Sequence, residues 1–349
     1  MAKNQVVYVG LSGGVDSSVT AALLLEQGYQ VVGVYMKNWS QDLPGFACPW
    51  KEDYQDAKRV AVQLGIPFKM YDFQKEYRQK VVDYMVAEYQ AGRTPNPDIM
   101  CNQEVKFKLF LETALADGAD LIATGHYARV KDGQLLTARN VDKDQTYFLY
   151  RVTSDALKKT LMPIGEFETK DQVRALAKKF GLVTANKKDS QGICFVGKVG
   201  IKEFLLHELG AQKPGQIKDQ AGHVVGSHDG AIFYTIGQRH GLNVGGGMPY
   251  YVVGKDMDLN EVYVTTNLDD ARLWHKQLYL VDVHWINNSP AKEAVLQVRT
   301  RYRAPLVKCT LQSGKPLKVI MQDEARAITA GQSAVFYSGE QVVGGGIIV

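Results

Sequence analysis

The rhythm of apolar and polar positions changes along the chain and predicts three kinds of structure. In the first part, short apolar runs alternate with longer amphipathic stretches. Strands are predicted near residues 5–10, 30–36, 66–72 and 119–125, and helices near 17–27, 50–64, 74–91 and 103–117. Runs such as Gln5-Val6-Val7-Tyr8-Val9-Gly10-Leu11 have no polar face, as expected of parallel strands covered on both sides. This part therefore reads as α/β, a doubly wound parallel sheet. Residues 38–49 read as a loop, residues 169–180 as a helix closed by Gly181, and residues 186–192 as a polar loop.

From about residue 214 the texture shifts to turn signals separated by short β-type runs. After Asn267 it becomes almost purely strand-like, with runs at 278–283, 294–303, 306–311, 317–321, 334–337 and 345–349. These predict a small mostly β central domain followed by a C-terminal β-barrel. The expected boundaries are 1–198, 199–266 and 267–349.

Composition narrows the class. The chain has 349 residues, 45% hydrophobic and 22% charged, with a net charge of +4. The excess lies in residues 270–349, which hold ten Lys/Arg against six Asp/Glu, so a basic C-terminal module is expected to meet phosphates. No apolar run reaches membrane-spanning length and no signal peptide precedes the first strand, so a cytoplasmic location without membrane attachment is expected. Cys48, Cys101, Cys194 and Cys309 form no C-x-x-C pair and no zinc-type cluster, which leaves core filling or thiol chemistry.

The most informative stretch is Ser12-Gly13-Gly14-Val15-Asp16, followed by Ser17-Ser18. A strand that ends in a glycine-rich turn and opens a helix presents free N–H groups and the positive end of the helix dipole to an anion. Ser12, Ser17 and Ser18 are expected to add hydroxyl donors. Asp16 would repel a phosphate unless it binds Mg²⁺ or caps a turn. The lysine of G-x-x-x-x-G-K-[ST] is missing, and so is the G-x-G-x-x-G fingerprint. The string resembles the pyrophosphate-binding loop of the ATP pyrophosphatases. Met36 and Thr124-Gly125-His126 fall at other strand ends, where ligands of such sheets bind.

In Arg93-Thr94-Pro95-Asn96-Pro97-Asp98-Ile99-Met100-Cys101-Asn102, two prolines predict a rigid extended loop ahead of a helix starting near Gln103. A thiol close to that helix start would have a lowered pKa, and Asp98 would be a general base or a contact to a nucleobase. Lys188-Asp189-Ser190-Gln191-Gly192-Ile193-Cys194-Phe195 sets a further cysteine after an accessible loop.

Seven motifs run in order: S-G-G-V-D-S-S (12–18), N-P-D-I-M-C-N (96–102), T-G-H-Y-A-R (124–129), K-D-Q-T-Y-F-L (143–149), D-S-Q-G-I-C-F (189–195), Y-T-I-G-Q-R (234–239) and R-Y-R (301–303). Together they resemble the bacterial tRNA-specific 2-thiouridylase family over nearly the whole chain. The resemblance implies an ATP pyrophosphatase-type catalytic domain, with Gly10, Leu11, Ser12, Gly13, Gly14, Val15, Asp16 and Ser17 around the ATP phosphates. Met36 and Gly125 would lie on the adenine or ribose side. Asn96, Pro97 and Asp98 would face the target base, Cys101 would be the nucleophile, and Cys194 would carry a persulfide. His126, Lys143, Asp144, Gln145, Arg301, Tyr302 and Gln332 would touch tRNA. The implied cofactors are ATP and Mg²⁺, with Asp16 toward the metal. The implied partners are tRNA and a persulfide sulfur-donor protein, and a monomer is expected.

The implied reaction converts a tRNA uridine, at the wobble position, to 2-thiouridine through an adenylated base. Either the persulfide attacks C2 directly, or Cys101 first frees hydrogen sulfide from Cys194. An amidotransferase that adenylates a small metabolite, and a non-catalytic RNA-binding protein that senses ATP, are the alternatives. The paired thiols weigh against both. Arg299, Arg301 and Arg303 alternate, which predicts a basic stripe on one strand face.

Overall fold

The computed structural model describes all residues except 1–3, 44–46, 189–199, 243, 246, 292 and 293. A five-stranded parallel sheet forms from Val6–Gly10, Gln30–Lys37, Phe68–Asp72, Leu121–Ala123 and Thr160–Leu161. In space the order is Phe68–Asp72, Gln30–Lys37, Val6–Gly10, Leu121–Ala123, Thr160–Leu161. The chain builds outward on one side of Val6–Gly10 and then crosses to the other, so the switch point lies beside the end of that first strand.

The sheet is covered on both faces, as its apolar runs predict. Val7 and Val9 join Val19, Leu23, Val60, Val173 and Ala177 beneath the helices Val15–Glu26, Trp50–Leu64 and Lys170–Lys179. Tyr8 and Val34 meet Val81, Met85, Val105 and Phe110 on the other face. Two long helices lie there. One runs through Gln74–Tyr77, Arg78–Val82 and Asp83–Gln90, and the other through Pro97–Met100, Cys101–Leu109 and Phe110–Ala116.

The second helix corrects an expectation. It starts at Pro97 rather than near Gln103, because Asn96 is extended and Pro97 takes the first helical position, where a missing N–H costs nothing. Cys101 therefore sits in the second turn and heads a nine-residue stretch wound as a π-helix, Cys101–Leu109.

Helix Ile201–Leu209 leads into a four-stranded sheet ordered Tyr251–Asp256, Glu261–Thr265, Gly215–Lys218, Val224–His228. Six antiparallel strands then close a barrel: Trp274–Trp285, Leu317–Arg326, Val307–Gln312, Leu296–Arg299, Ser333–Ser338 and Gln341–Ile348, the last pairing back onto the first. Leu280, Val298, Val319, Met321, Phe336 and Ile348 fill it, and Cys309 belongs to that filling.

Two features had no sequence signal. The hairpin Ala128–Lys131 and Gln134–Thr137 lies within the first 198 residues yet hydrogen-bonds to the last barrel strand, with Leu135 opposite Val342. Tyr147 and Tyr150 are fully buried in a cluster that also holds Val335, Tyr337 and Val342 of the barrel. Each ring contributes on the order of 2 kcal/mol by burial, and the Tyr147 hydroxyl donates to the Ser333 carbonyl at 2.9 Å. The barrel is thus bonded and packed onto the parallel-sheet part. Among the described residues, no helix is long and apolar enough to cross a membrane.

Candidate functional site

Helix Val15–Glu26 begins directly after the glycines. Its N-cap is Gly14, which has no side chain to satisfy the first N–H groups, and those groups face the loop. Gly13 has φ +76°, and a Cβ there would lie 2.5 Å from the Asp53 carbonyl oxygen, so only glycine fits. Leu11 and Val15 are buried in the core, and the Leu11 N–H donates to the Val34 carbonyl at 2.8 Å; these residues offer a ligand backbone only. Met36 lies against Gly10, placing both strand ends on one rim.

The serines divide the work differently from the expectation. Ser17 Oγ and Ser18 Oγ donate to the Gly14 carbonyl at 3.1 and 2.7 Å, and Ser17 Oγ accepts from the Ser12 N–H at 3.2 Å. They hold the loop's shape, while Ser12 is the exposed hydroxyl. Gly125 joins the same site. A Cβ on it would lie 2.7 Å from the Ser17 nitrogen, so the turn after Leu121–Ala123 presses directly on the helix start.

Asp16 is met by a cation from a distant part of the chain. Lys170 Nζ lies 2.6 and 2.8 Å from its two carboxylate oxygens, and the Tyr127 hydroxyl donates to one of them at 3.2 Å. Among the described residues no cluster of three or more His, Cys, Asp or Glu can hold a metal. A metal ion at this loop would need one or two carboxylates, and the loop 12–18 carries one, Asp16.

On the helix Pro97–Ala116, Asp98 is in the first turn, where the dipole favours its negative charge. Cys101, one turn on, is 1% exposed and packed among apolar side chains, inside the helix rather than ahead of it. Phe107, on the same helix, lies with its ring 5.5 Å from His126. His126 Nδ1 is 2.8 Å from Thr124 Oγ1, and burial, with the Lys106 ammonium adding to it, holds the imidazole well below its usual pKa. The path Cys101 helix, Phe107, His126, Gly125, Ser17 thus connects the thiol segment to the phosphate-type loop along the carboxyl edge of the sheet.

Cys194 and the motif 189–195 lie outside the described residues. The chain leading to them is pinned beside the loop. Lys187 Nζ lies 2.9 Å from Asp53 Oδ1 and 2.7 Å from Asp56 Oδ2, and Arg174 donates to the Ala185 and Lys187 carbonyls at 3.0 and 3.1 Å. Asp53 is the residue whose backbone backs Gly13. Sequence reasoning missed the roles of Lys170, Lys187 and Tyr127, because nothing local pairs them with partners more than a hundred positions away, and that of Arg174, because no motif marks its bonds to backbone carbonyls 11 and 13 positions on.

Of the residues that the resemblance assigns to tRNA, several are engaged within the protein. Asp144 is buried, accepts from the Ala138 N–H at 3.0 Å and from the Thr146 hydroxyl at 2.8 Å, and burial pushes its carboxyl up. Gln145 accepts from the Tyr127 N–H at 2.8 Å, while Lys143 is half-buried in the same turn. Tyr302 packs its ring 4.5 Å from that of Phe148. Gln332 Nε2 donates to the Thr94 carbonyl at 2.9 Å.

The arginine stripe does not form. The strand ends at Arg299, whose guanidinium lies 5.4 Å from the Tyr337 ring centre. Arg303 takes φ +62°. Arg301 turns inward and donates to the Ile236 carbonyl at 2.7 Å and to Thr329 Oγ1 at 2.8 Å. Of the cysteines without an assigned role, Cys309 is a buried barrel residue whose thiol burial pushes up to about 12. Cys48 is half-buried, and burial raises its thiol too.

Known proteins resemble this chain in three consecutive modules and as a whole. Family models match a tRNA methyl transferase HUP domain over residues 5–198, a tRNA methyl transferase PRC-barrel domain over 202–266 and an aminomethyltransferase beta-barrel domain over 275–348. The "tRNA-specific 2-thiouridylase MnmA 2" of Geobacillus kaustophilus is 50% identical over 350 residues, covering 98% of this chain and 94% of the relative. The enzyme of that family from Geobacillus thermodenitrificans is likewise 50% identical, and that from Listeria monocytogenes 49% identical, with the same coverage. The module names speak of methyl transfer and the full-length relatives of thiolation. The relatives decide, because their likeness covers 98% of this chain, whereas each model describes one module. The chain belongs to the tRNA-specific 2-thiouridylase family.

Proposed function

We propose that this protein converts a uridine of tRNA, at the wobble position, to 2-thiouridine with ATP as the activating co-substrate. The observation that carries this reading is the junction at the sheet edge: a helix N-terminus open to an anion is joined, through Gly125, His126 and Phe107, to the helix bearing Asp98 and Cys101. Membership in the family supports it.

The uracil C2 oxygen leaves poorly. It attacks the α-phosphorus of ATP, pyrophosphate departs, and the oxygen becomes part of an AMP leaving group. The backbone N–H groups of the 11–15 loop and the start of Val15–Glu26 balance the charge on the departing phosphates, with Ser12 adding a hydroxyl and Met36 and Gly125 bounding the nucleoside side. Mg²⁺, carried by the nucleotide and held through Asp16, supplies charge neutralisation when bound. Asn96, Pro97 and Asp98 receive the uracil, drawn out of the anticodon stack, and Asp98 handles its proton.

Sulfur arrives as a persulfide on Cys194 from a donor protein. In one order, its terminal sulfur attacks C2 and expels AMP, and Cys101 then attacks Cys194 Sγ, which frees the 2-thiouridine and leaves a Cys101–Cys194 disulfide. In the other, Cys101 attacks Cys194 Sγ first and the released hydrogen sulfide attacks C2. His126, Lys143, Asp144, Gln145, Arg301, Tyr302 and Gln332 form or support the tRNA-facing side, the barrel contributes affinity, and the enzyme acts as a cytoplasmic monomer.

The test is nucleoside mass spectrometry on unmodified tRNA incubated with the protein, ATP and a sulfide or persulfide source. ATP-dependent 2-thiouridine is expected, and its absence overturns the reading.

A further inference from the structure

The phosphate-type loop presents an imbalance. It offers neutral N–H donors, one exposed hydroxyl and one carboxylate, Asp16, and it lacks the lysine with which the common phosphate loop meets a polyphosphate. The protein places an ammonium there from elsewhere. Lys170 Nζ bridges both oxygens of Asp16 at 2.6 and 2.8 Å, across 154 positions of sequence. Asp16 stands in the first turn of the helix whose N–H groups face the loop, so the ammonium lies at the edge of the anion site.

Lys170 is held with little freedom at its base. Thr169 and Gln172 form a reciprocal capping box at the start of Lys170–Lys179. Val173 and Ala177 of that helix are fully buried against the core that Val19 and Leu23 share. Tyr127 packs its ring 5.5 Å from Nζ and donates its hydroxyl to Asp16, so both members of the pair rest on one aromatic side chain.

We propose that Lys170 is the phosphate-binding lysine of this site: its ammonium, held on Asp16 when no polyphosphate is present, turns to the β- and γ-phosphate oxygens of ATP. This rests on the ATP-dependent reading above. The exchange keeps the ammonium paired throughout. The pair is mostly covered, with side-chain exposures of 14% for Lys170 and 30% for Asp16, so the ammonium can leave Asp16 only for a site that pairs its charge again. A polyphosphate offers the same ammonium more negative charge and more acceptors. Asp16 keeps the Tyr127 hydroxyl as a donor while the lysine is engaged. Lysine suits the role because its flexible stem carries a point charge with three donors, able to move between acceptors that a fixed guanidinium fork would not share.

The test uses inorganic pyrophosphate and AMP as probes, with a chelator present so that no metal contributes, and calorimetry on the full chain. Lys170→Met is expected to weaken pyrophosphate binding by about 10-fold or more while AMP binding changes by less than about 2-fold. Lys170→Arg is expected to recover part of the loss. The double variant Asp16→Asn/Lys170→Met separates contact from neutralisation and is expected to stay weak. Recovery of wild-type affinity in that double variant would mean that Lys170 only neutralises Asp16, and overturns the proposal. So do unchanged pyrophosphate binding in Lys170→Met and an equal fall in AMP binding, which marks a merely structural residue. A parent protein that binds neither ATP nor pyrophosphate overturns the ATP reading itself, and this proposal with it.

Discussion

Gln332, at the turn between barrel strands, donates its side-chain amide to the Thr94 carbonyl at 2.9 Å and reaches the Pro95 carbonyl at 3.4 Å, across 238 positions of sequence. The Thr94 N–H donates to the Ala330 carbonyl at 2.9 Å, and Thr94 Oγ1 lies 3.1 Å from Thr235 Oγ1 of the segment after Gly230. All three regions of the chain therefore converge on the residues that lead into Asn96, Asp98 and Cys101. The barrel holds the residues just ahead of the thiol helix.

Gln332→Ala should accordingly behave as a positioning variant. Loss of its hydrogen bonds should cost about 1 kcal/mol of stability. Small misplacement of a reacting group is expensive in rate, so kcat for thiolation should fall about 3- to 10-fold with the KM for tRNA changed by less than about 2-fold. Steady-state kinetics over a tRNA series check this. A raised KM with unchanged kcat would instead mark Gln332 as a direct tRNA contact.

The two thiols should be needed for sulfur transfer and dispensable for adenylation. Cys101→Ser and Cys194→Ser should each release pyrophosphate in the presence of tRNA and form no 2-thiouridine. Cys101 is 1% exposed, so its side chain must be uncovered before it reacts. Alkylation of Cys101 in the resting protein should be slow and should speed up when ATP and tRNA are added together. Full thiolation by either serine variant with a persulfide donor rules out the two-thiol scheme.

Histidine 126 should give stability a pH dependence. Its folded pKa lies well below 6.5, chiefly through burial. The unfolded chain takes up a proton near that value while the folded protein does not, so stability falls as pH drops through 6.5, at up to about 1.4 kcal/mol per pH unit, until the folded imidazole also protonates. His228 and His284 are lowered by burial as well and act in the same window. Urea unfolding between about pH 7.5 and 5.5 should show a shallower slope for His126→Gln than for the parent. Equal slopes would mean that the ring protonates freely in the folded state.

Arginine 301 should prove to be a joint between domains. Its guanidinium bridges the Ile236 carbonyl and Thr329 Oγ1. Arg301→Ala leaves the partly buried acceptors without their donor and should destabilise the protein by about 1–3 kcal/mol. Arg303 is the exposed member of the trio, so Arg303→Ala should leave the melting temperature in place and flatten the salt dependence of tRNA binding by about one unit of slope. Calorimetry and salt-titrated tRNA binding separate the two. A flattened slope with no thermal effect for Arg301→Ala would return that residue to the tRNA surface.

Local patterns were enough for much of this protein. Unbroken apolar runs specify a sheet buried on both faces, and the barrel's strand-rich texture specifies its strands, because the side-chain period is set within each element. The SGGVDSS loop announces its chemistry because the strand, the turn and the helix start are contiguous. What depends on packing between distant segments was decided only in three dimensions. Pro97 takes the helix's first position and moves Cys101 from before the helix into its second turn. The chain leaves the strand at Arg299 and sends Arg301 inward, where regular alternation predicted a stripe. Lys170 reaches Asp16 and Gln332 reaches Thr94 across 154 and 238 positions. Such pairings carry no local signature, because a lysine or glutamine finds its partner only after the core has fixed which helix and which turn lie side by side.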